Sequence, residues 1–365
     1  METVVVLLNM SRIAMTSRVT LGLVVSIAIT LAMACEEAPQ LPETLANVSE
    51  RFITRWVPPE PPPTLELVND DERNAWNRLG QQVSGYLMWS SNRNGNHDLF
   101  LIDLTTGEER QLTSNPHVDF FARFSPDGQL ISFLRSQRPW VSFRDELAWD
   151  LYVMNADGTD ERQLVSGAYH PTWLPDGTGL LYVNDNRILR FDLASGRTIT
   201  VYEGTQPPTN GLVYEPEQSH DGLIAVTLRG VPRETVGVLD LAKNQYIPVS
   251  SERACQITWV PGRQQLVWID NGGHGGTHVA TATFDQGNIQ TDILIDLPGD
   301  YSHEYFPRVT SDGQWLVWGA SAGGHEHDRA DYEIFAWQIG TPVDTAMRLT
   351  FSSANDQWPD LWINH

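Results

Sequence analysis

From about residue 85 onward the hydrophobic pattern has the period of strands. In residues 150–177 (DLYVMNADGTDERQLVSGAYHPTWLPDG), short runs alternate apolar and polar positions, broken at Asp157-Gly158 and at a Pro-Asp-Gly turn. Alternation puts every second side chain on one face of a sheet. An Asp-Gly pair between two such runs predicts a hairpin in which both turn residues take positive φ. The unit recurs. Turns fall at Pro126-Asp127-Gly128, Pro175-Asp176-Gly177, His220-Asp221-Gly222, Pro261-Gly262 and Ser311-Asp312-Gly313. They lie roughly 41 to 52 residues apart, the spacing of propeller blades, and each leads into an apolar strand such as 130–133, 180–183 or 315–318.

A register check comes from counting back five places from each turn. Pro171, Pro216, Pro307 and Pro359 then share one column, which makes residues 358–364 (WPDLWIN) a sixth first strand with nothing after it. Residues 85–89 (GYLMW) are a second strand with nothing before them. The two ends complete one blade between them, and ring closure of this kind pairs strand edges that would otherwise be exposed. The fold class expected is all-β, a six-bladed β-propeller over residues 81–365, closed by the C-terminal strand.

The segment before it has another character. Arg12 and Arg18 precede an apolar run, residues 19–34, that ends in small residues before Cys35. This is the layout of a secretory signal, too short for a membrane span of roughly 20 residues. Leu31-Ala32-Met33-Ala34-Cys35 resembles the lipobox of bacterial lipoproteins, which implies cleavage of residues 1–34, lipidation of Cys35 and location in the cell envelope. Residues 35–80 read as a proline-rich tether, with Pro58, Pro59, Pro61, Pro62 and Pro63 favouring extended chain. Leu45, Val48, Phe52, Ile53 and Trp56 fall at the spacing of a short amphipathic helix within it.

Charge narrows the partners. The net charge is −22 and Lys243 is the only lysine. Nucleic acid is excluded, since no basic stripe is there to displace counterions; an acidic protein of this kind attracts cations or basic peptides. With Cys35 acylated, Cys255 has no disulfide partner and reads as a small buried hydrophobe.

Candidate chemistry is sparse. Gly319-Ala-Ser-Ala-Gly323 matches the serine-hydrolase elbow, but that motif requires a strand running into a helix, and here it follows a blade's second strand. Asp98, Asp150 and Glu333 share the start of the third strand and read as carboxylates satisfying backbone N–H groups or arginines such as Arg93 and Arg135. Eight of the ten histidines fall in loops of one face, the face opposite the Asp-Gly hairpins. Counting back eight from each turn gives Asp119, Glu304 and Asp356, which are expected to converge at the channel mouth with His117 and His303 nearby and to raise one another's pKa. Imidazole beside carboxylate suits a divalent metal, for which His303, Glu304, His325 and His327 are the candidates. The loop after Arg135 places Arg138, Trp140 and Arg144 as a binding rim.

Ser-Pro-Asp-Gly before an apolar strand, S-x-R-x-G-x-x-D-L-F at Ser91, Arg93, Gly95 and Asp98, and D-L-Y-V-M-N-A-D-G-T from Asp150 resemble the repeats of TolB-like propellers over roughly residues 85–365. The resemblance implies the fold and not the activity, because one fold hosts many functions. Together these features imply a lipid-anchored envelope protein whose propeller binds a peptide, protein or glycan on the histidine-bearing face without catalysis. The alternative is a metal-dependent lyase or hydrolase acting on a polysaccharide. An acidic mouth would repel an acidic polysaccharide unless the metal reversed the local charge.

Overall fold

The computed structural model describes residues 68–230, 234–250, 253–285, 288–324 and 326–364. Cys35, the signal-like segment, the apolar positions 45–56 and His325 lie outside the described residues. The described strands form six four-stranded antiparallel sheets, arranged as the blades of a propeller. Blade 1 is made of Asp356–Ile363, Gly85–Ser91, Asp98–Asp103 and Glu109–Gln111 in that spatial order. The C-terminal strand therefore closes the ring: Gly85 pairs with Ile363 and Ser91 with Asp356, with a bulge between. Blades 2 to 6 begin with the innermost strands Asp119–Phe124, Tyr169–Trp173, Leu212–Gln218, Cys255–Trp259 and His303–Val309. No described helix is long and apolar enough to cross a membrane.

In blades 2 to 6, turns such as the one from Ser125 to Gly128 join first to second strands. In blade 2, Ser125 N–H donates to Leu130 O at 2.8 Å, and Asp127 accepts from the Ser125 hydroxyl at 2.6 Å. Gly128 has φ +69°, and a Cβ there would stand 2.2 Å from the Trp362 ring, so backbone conformation and packing both call for glycine. The hairpin at Asp157-Gly158 departs from the expected two-residue turn. Gly158 has φ +88°, but Asp157 is not left-handed, and the loop is closed by Asn155 N–H to Thr159 O at 2.8 Å.

Every innermost strand carries a bulge at the same place. Phe121, His170, Glu215, Gln256, Phe306 and Trp358 have φ between +48° and +59°, and the strand register shifts at each. Left-handed backbone costs a non-glycine residue roughly 1–2 kcal/mol, so six such residues at equivalent positions require compensating contacts. They find them in one another. Ring centroids are 4.4 Å apart for Phe121–Trp358, 5.3 Å for Phe121–His170 and 4.1 Å for Phe306–Trp358. His170 Nε2 lies 3.8 Å from Glu215, Glu215 accepts from Gln256 N–H at 2.6 Å, and Gln256 Oε1 accepts from Phe306 N–H at 2.6 Å. Each blade thus touches the next through this position, and the six side chains plug the axis.

Residues 70–80, read from the sequence as the end of the tether, form helix α1 (Asp70–Gly80). Asn69 and Glu72 make a reciprocal capping box, and three acids occupy the first turn. Ala75, Trp76 and Leu79 pack with Trp89 and Phe100 of blade 1 and with Trp315, Val317 and Ile334 of blade 6. The helix wedges into the seam where the ring closes. Asn69 also donates to Phe351 O at 3.2 Å. Replacing Asn69 with Ala is expected to cost about 1–2 kcal/mol through loss of the cap, measured as a lower urea midpoint with unchanged m-value.

Candidate functional site

Of the residues expected at the histidine-bearing mouth, Asp119, Glu304 and Asp356 are buried and His117 and His303 half-buried, and each is engaged separately. Asp119 accepts from Nε and Nη2 of Arg135, at 2.8 and 2.9 Å. Glu304 accepts from Leu297 N–H at 2.8 Å and faces the Thr277 hydroxyl at 3.3 Å. Asp356 meets Arg93 at 3.2 Å. His117 Nδ1 lies 2.6 Å from Ser136 O, and His303 stands beside Gly276. Raised pKa values are present, but their cause differs from the one expected. Burial, not mutual repulsion, lifts Asp119 and Asp356 and pushes Glu304 up to about 8. Among the described residues no three His, Cys, Asp or Glu are grouped to hold a metal, so this set does not form the grouped site expected of it.

That mouth is covered. The insertion at residues 137–148 crosses the axis and docks on residues 326–331 of blade 6: Asp328 accepts from the Ser142 hydroxyl at 2.6 Å and from Phe143 N–H at 3.0 Å. Phe143 is 6% exposed and lies over Trp358, His170 and His327, with centroids 5.0, 6.0 and 5.5 Å away. Glu146 accepts from the Tyr214 hydroxyl at 3.1 Å, which ties the loop to blade 4. The proposed rim belongs to this cap: Arg138 pairs with Asp145 at 2.8 Å, Arg144 with Glu326 at 3.6 Å, and Trp140 packs on the core. His327 sits among Tyr305, Phe306 and Tyr332. Ser321 of the G-x-S-x-G stretch ends a strand and donates to Gly324 O without entering a helix. Burial lifts the Cys255 thiol well above its usual range, as suits an inert cysteine.

The open end is the opposite one. Below the axial plug, two residues beyond each bulge, stand Arg123, Thr172, Glu217, Thr258, Arg308 and Asp360. All but Thr258 line the floor of a funnel of about 450 Å³ that opens between the hairpin turns joining first to second strands. Its walls are apolar and aromatic: Phe124, Trp173, Trp259, Val309, Leu361 and Trp362. The indole N–H groups of Trp173 and Trp259 are held by Arg123 O at 3.0 Å and Glu217 O at 3.1 Å on the preceding blades. The walls are therefore fixed by the same strands that make the floor. Arg308 binds Glu217 at 2.8 Å and Thr258 at 2.7 Å and lies 3.9 Å from Asp360. Arg123 is different. Burial, and then the charge of Arg308, pull its guanidinium down to about 9, and among the described residues it has no ion-pair partner.

Sequence reasoning had chosen the other face. The available signal was a column four places before each turn, where Arg123 and Arg308 stand with Glu217 and Asp360.

No protein family model matches the sequence, and no curated protein matches it. Solved structures do match in shape. TolB from Acinetobacter baumannii superposes with a TM-score of 0.57 at 16% identity, covering 76% of this chain and 66% of that one, so the chain spans just under two thirds of that TolB. Hydrazine synthase from Kuenenia stuttgartiensis gives 0.52 at 13% identity, over 83% and 52%. The tricorn protease gives 0.50 at 16%, over 73% and 26%. At these identities the likeness shows the fold alone: the chain is a six-bladed β-propeller, similar in architecture to the propeller of TolB.

Proposed function

We propose that the propeller is a binding module for a peptide or an exposed segment of a protein, and that the ligand seats in the funnel on the hairpin face. The observation that carries this is the funnel itself. It is a concave, aromatic-walled cavity with a few fixed polar groups at its floor, which is the usual make-up of a ligand site. Its volume suits a few side chains and not a folded domain. Its acids favour binding over acid–base chemistry, since Glu217 and Asp360 both face Arg308. No arrangement among the described residues favours the lyase or hydrolase alternative. A peptide display library selected on the wild-type protein tests the reading. Enriched peptides are expected to lose at least tenfold in affinity for Trp362→Ala/Arg263→Glu, which alters one wall and the rim while leaving the axial plug intact. Equal affinity for both proteins would remove the funnel as the site.

The setting proposed is the bacterial cell envelope, with residues 1–34 removed as a signal and Cys35 carrying the lipid, so that the membrane is reached through the anchor alone. Cys35→Ala is then expected to move the protein from the membrane to the soluble fraction and to leave the unprocessed mass. A variant that stays membrane-bound with wild-type mass would rule the anchor out.

A further inference from the structure

The floor of the funnel holds two guanidinium groups, and they are not equivalent. Arg308 is occupied by Glu217 and Thr258. Arg123 is 5% exposed and stacks on the rings of Phe121 and Trp358, with its Cζ 5.0 and 5.9 Å from their centroids. Its Nη1 donates only to carbonyl oxygens, those of Ala122 at 2.8 Å and Pro359 at 3.5 Å. Its Nε is buried with no hydrogen-bond partner, as is the Nε of Arg308. A buried cation that touches no carboxylate is destabilising, and a buried donor without an acceptor adds to that cost. Aromatic stacking on one side and two carbonyls on the other hold the group rigidly in this state. A guanidinium fixed in this way is pre-organised to take a planar anion.

We propose that Arg123 is the receptor for a single carboxylate carried by an apolar peptide segment. Charge selects the anion. Glu217 and Asp360 already offset the charges of Arg123 and Arg308 at the floor, so a dianion or a polyanion is repelled, whereas a monoanion adds only one negative charge and gains the hydrogen-bond donors of Arg123. The walls select the rest: Trp173, Trp259 and Trp362 surround any group seated on Arg123 with apolar surface. The carboxylate has two sources with the same chemistry, a chain's C-terminus or an aspartate or glutamate side chain.

This inference rests on the funnel reading, and the test separates the two. Isothermal calorimetry on the full chain uses three probes: N-acetyl-Ala-Leu-Phe with a free carboxylate, its C-terminal amide, and N-acetyl-Ala-Asp-Leu-Phe amide. Wild type is expected to bind one of the acids at least tenfold more tightly than the neutral amide. Preference for the first acid points to a C-terminus, and preference for the second to a side chain. Arg123→Gln is expected to reduce the discrimination to under twofold, and Arg123→Lys, which keeps the charge without the fork, to retain part of it. Should Arg123→Gln fail to melt cooperatively, Arg123→Lys alone decides: undiminished discrimination would overturn the assignment. Acid and amide bound alike by wild type, and both lost on Trp362→Ala, would remove the carboxylate receptor while leaving the funnel as a peptide site. Discrimination that survives Arg123→Gln, or no binding of either acid, overturns the proposal.

Discussion

A chain ending at Asn355 is expected to lose its cooperative native state. The deleted strand, Asp356–Ile363, is the innermost strand of blade 1 and pairs with Gly85–Ser91 along its whole length. It carries Trp358, 2% exposed, which meets Phe121 and Phe306 across the axis. It also carries Leu361 and Ile363, which pack with helix α1 and blade 6. Asp360 accepts Phe124 N–H of blade 2 at 2.9 Å, and Trp362 packs against Gly128 of the same blade. Emptying one buried Trp site costs about 3–5 kcal/mol, against a total stability of about 5–15 kcal/mol for a native domain. Here the whole strand goes, together with the pairing of an inner edge. Circular dichroism melting is the measurement: a truncated chain that still melts in one transition near the full-length temperature would refute the closure as the source of stability.

How much of this was legible in the sequence follows from which contacts are local. The blade repeat was legible because each hairpin turn and each apolar strand is written within a few residues. The proline column at 171, 216, 307 and 359 was legible too, and the structure gives its reason. Each proline directly follows a bulged residue, and a bulge is one of the few places inside a sheet where a missing N–H is tolerated. The same bulge decides which side chains face the axis. It inserts an extra residue, so that Phe120 and Arg123 oppose Leu134 and Ser132, two apart on the partner strand and so on one side of the sheet. A register counted in twos without the bulge puts Asp119 on the side of Arg123. The carboxylates at 119, 304 and 356 therefore turn into blades and seams.

Other features failed for other reasons. Helix α1 had a readable start, Asn69 followed by Glu72, with Ala75, Trp76 and Leu79 at helical spacing; the preceding prolines made the stretch read as tether. The cap over the histidine-bearing mouth depends on Asp328 meeting Ser142 and Phe143. Those loops lie on different blades, and no local pattern announces such a contact. Of the third-strand acids, Asp150 accepts Gly167 N–H and Glu333 pairs with Arg348, as expected of them, while Asp98 finds Gln111 and Thr113. Arg93 and Arg135 serve other acids, Asp356 and Asp119 of innermost strands.

Arg93→Ala is expected to cost about 3–5 kcal/mol, the range for breaking a buried ion pair from one side, and the cost is expected to grow with pH. Arg93 is 1% exposed, joins Glu72 of α1 at 3.0 Å to Asp356 of the closing strand at 3.2 Å, and stacks over Trp89 and Phe100. Its removal leaves two fully buried carboxylates at the seam without their cation. Burial already raises Asp356, and burial together with Asp356 pushes Glu333 up to about 9. A carboxyl group whose folded pKa exceeds its unfolded value, about 4, binds more protons in the native state. Its stabilising share is complete below that unfolded value and is lost as pH rises through the folded one. Wild type should accordingly be more stable at pH 5.5 than at pH 8.5. Without Arg93, the nearest positive charge holding Asp356 down is gone, so its folded pKa rises further and the slope steepens over the same window. Urea unfolding of both proteins at pH 5.5 and 8.5 measures this, with the deficit of Arg93→Ala larger at pH 8.5. A deficit below about 1 kcal/mol, the scale of an exposed ion pair, would show that the seam does not depend on this arginine. A deficit equal at both pH values would show that the buried carboxylates do not compete for protons once it is gone.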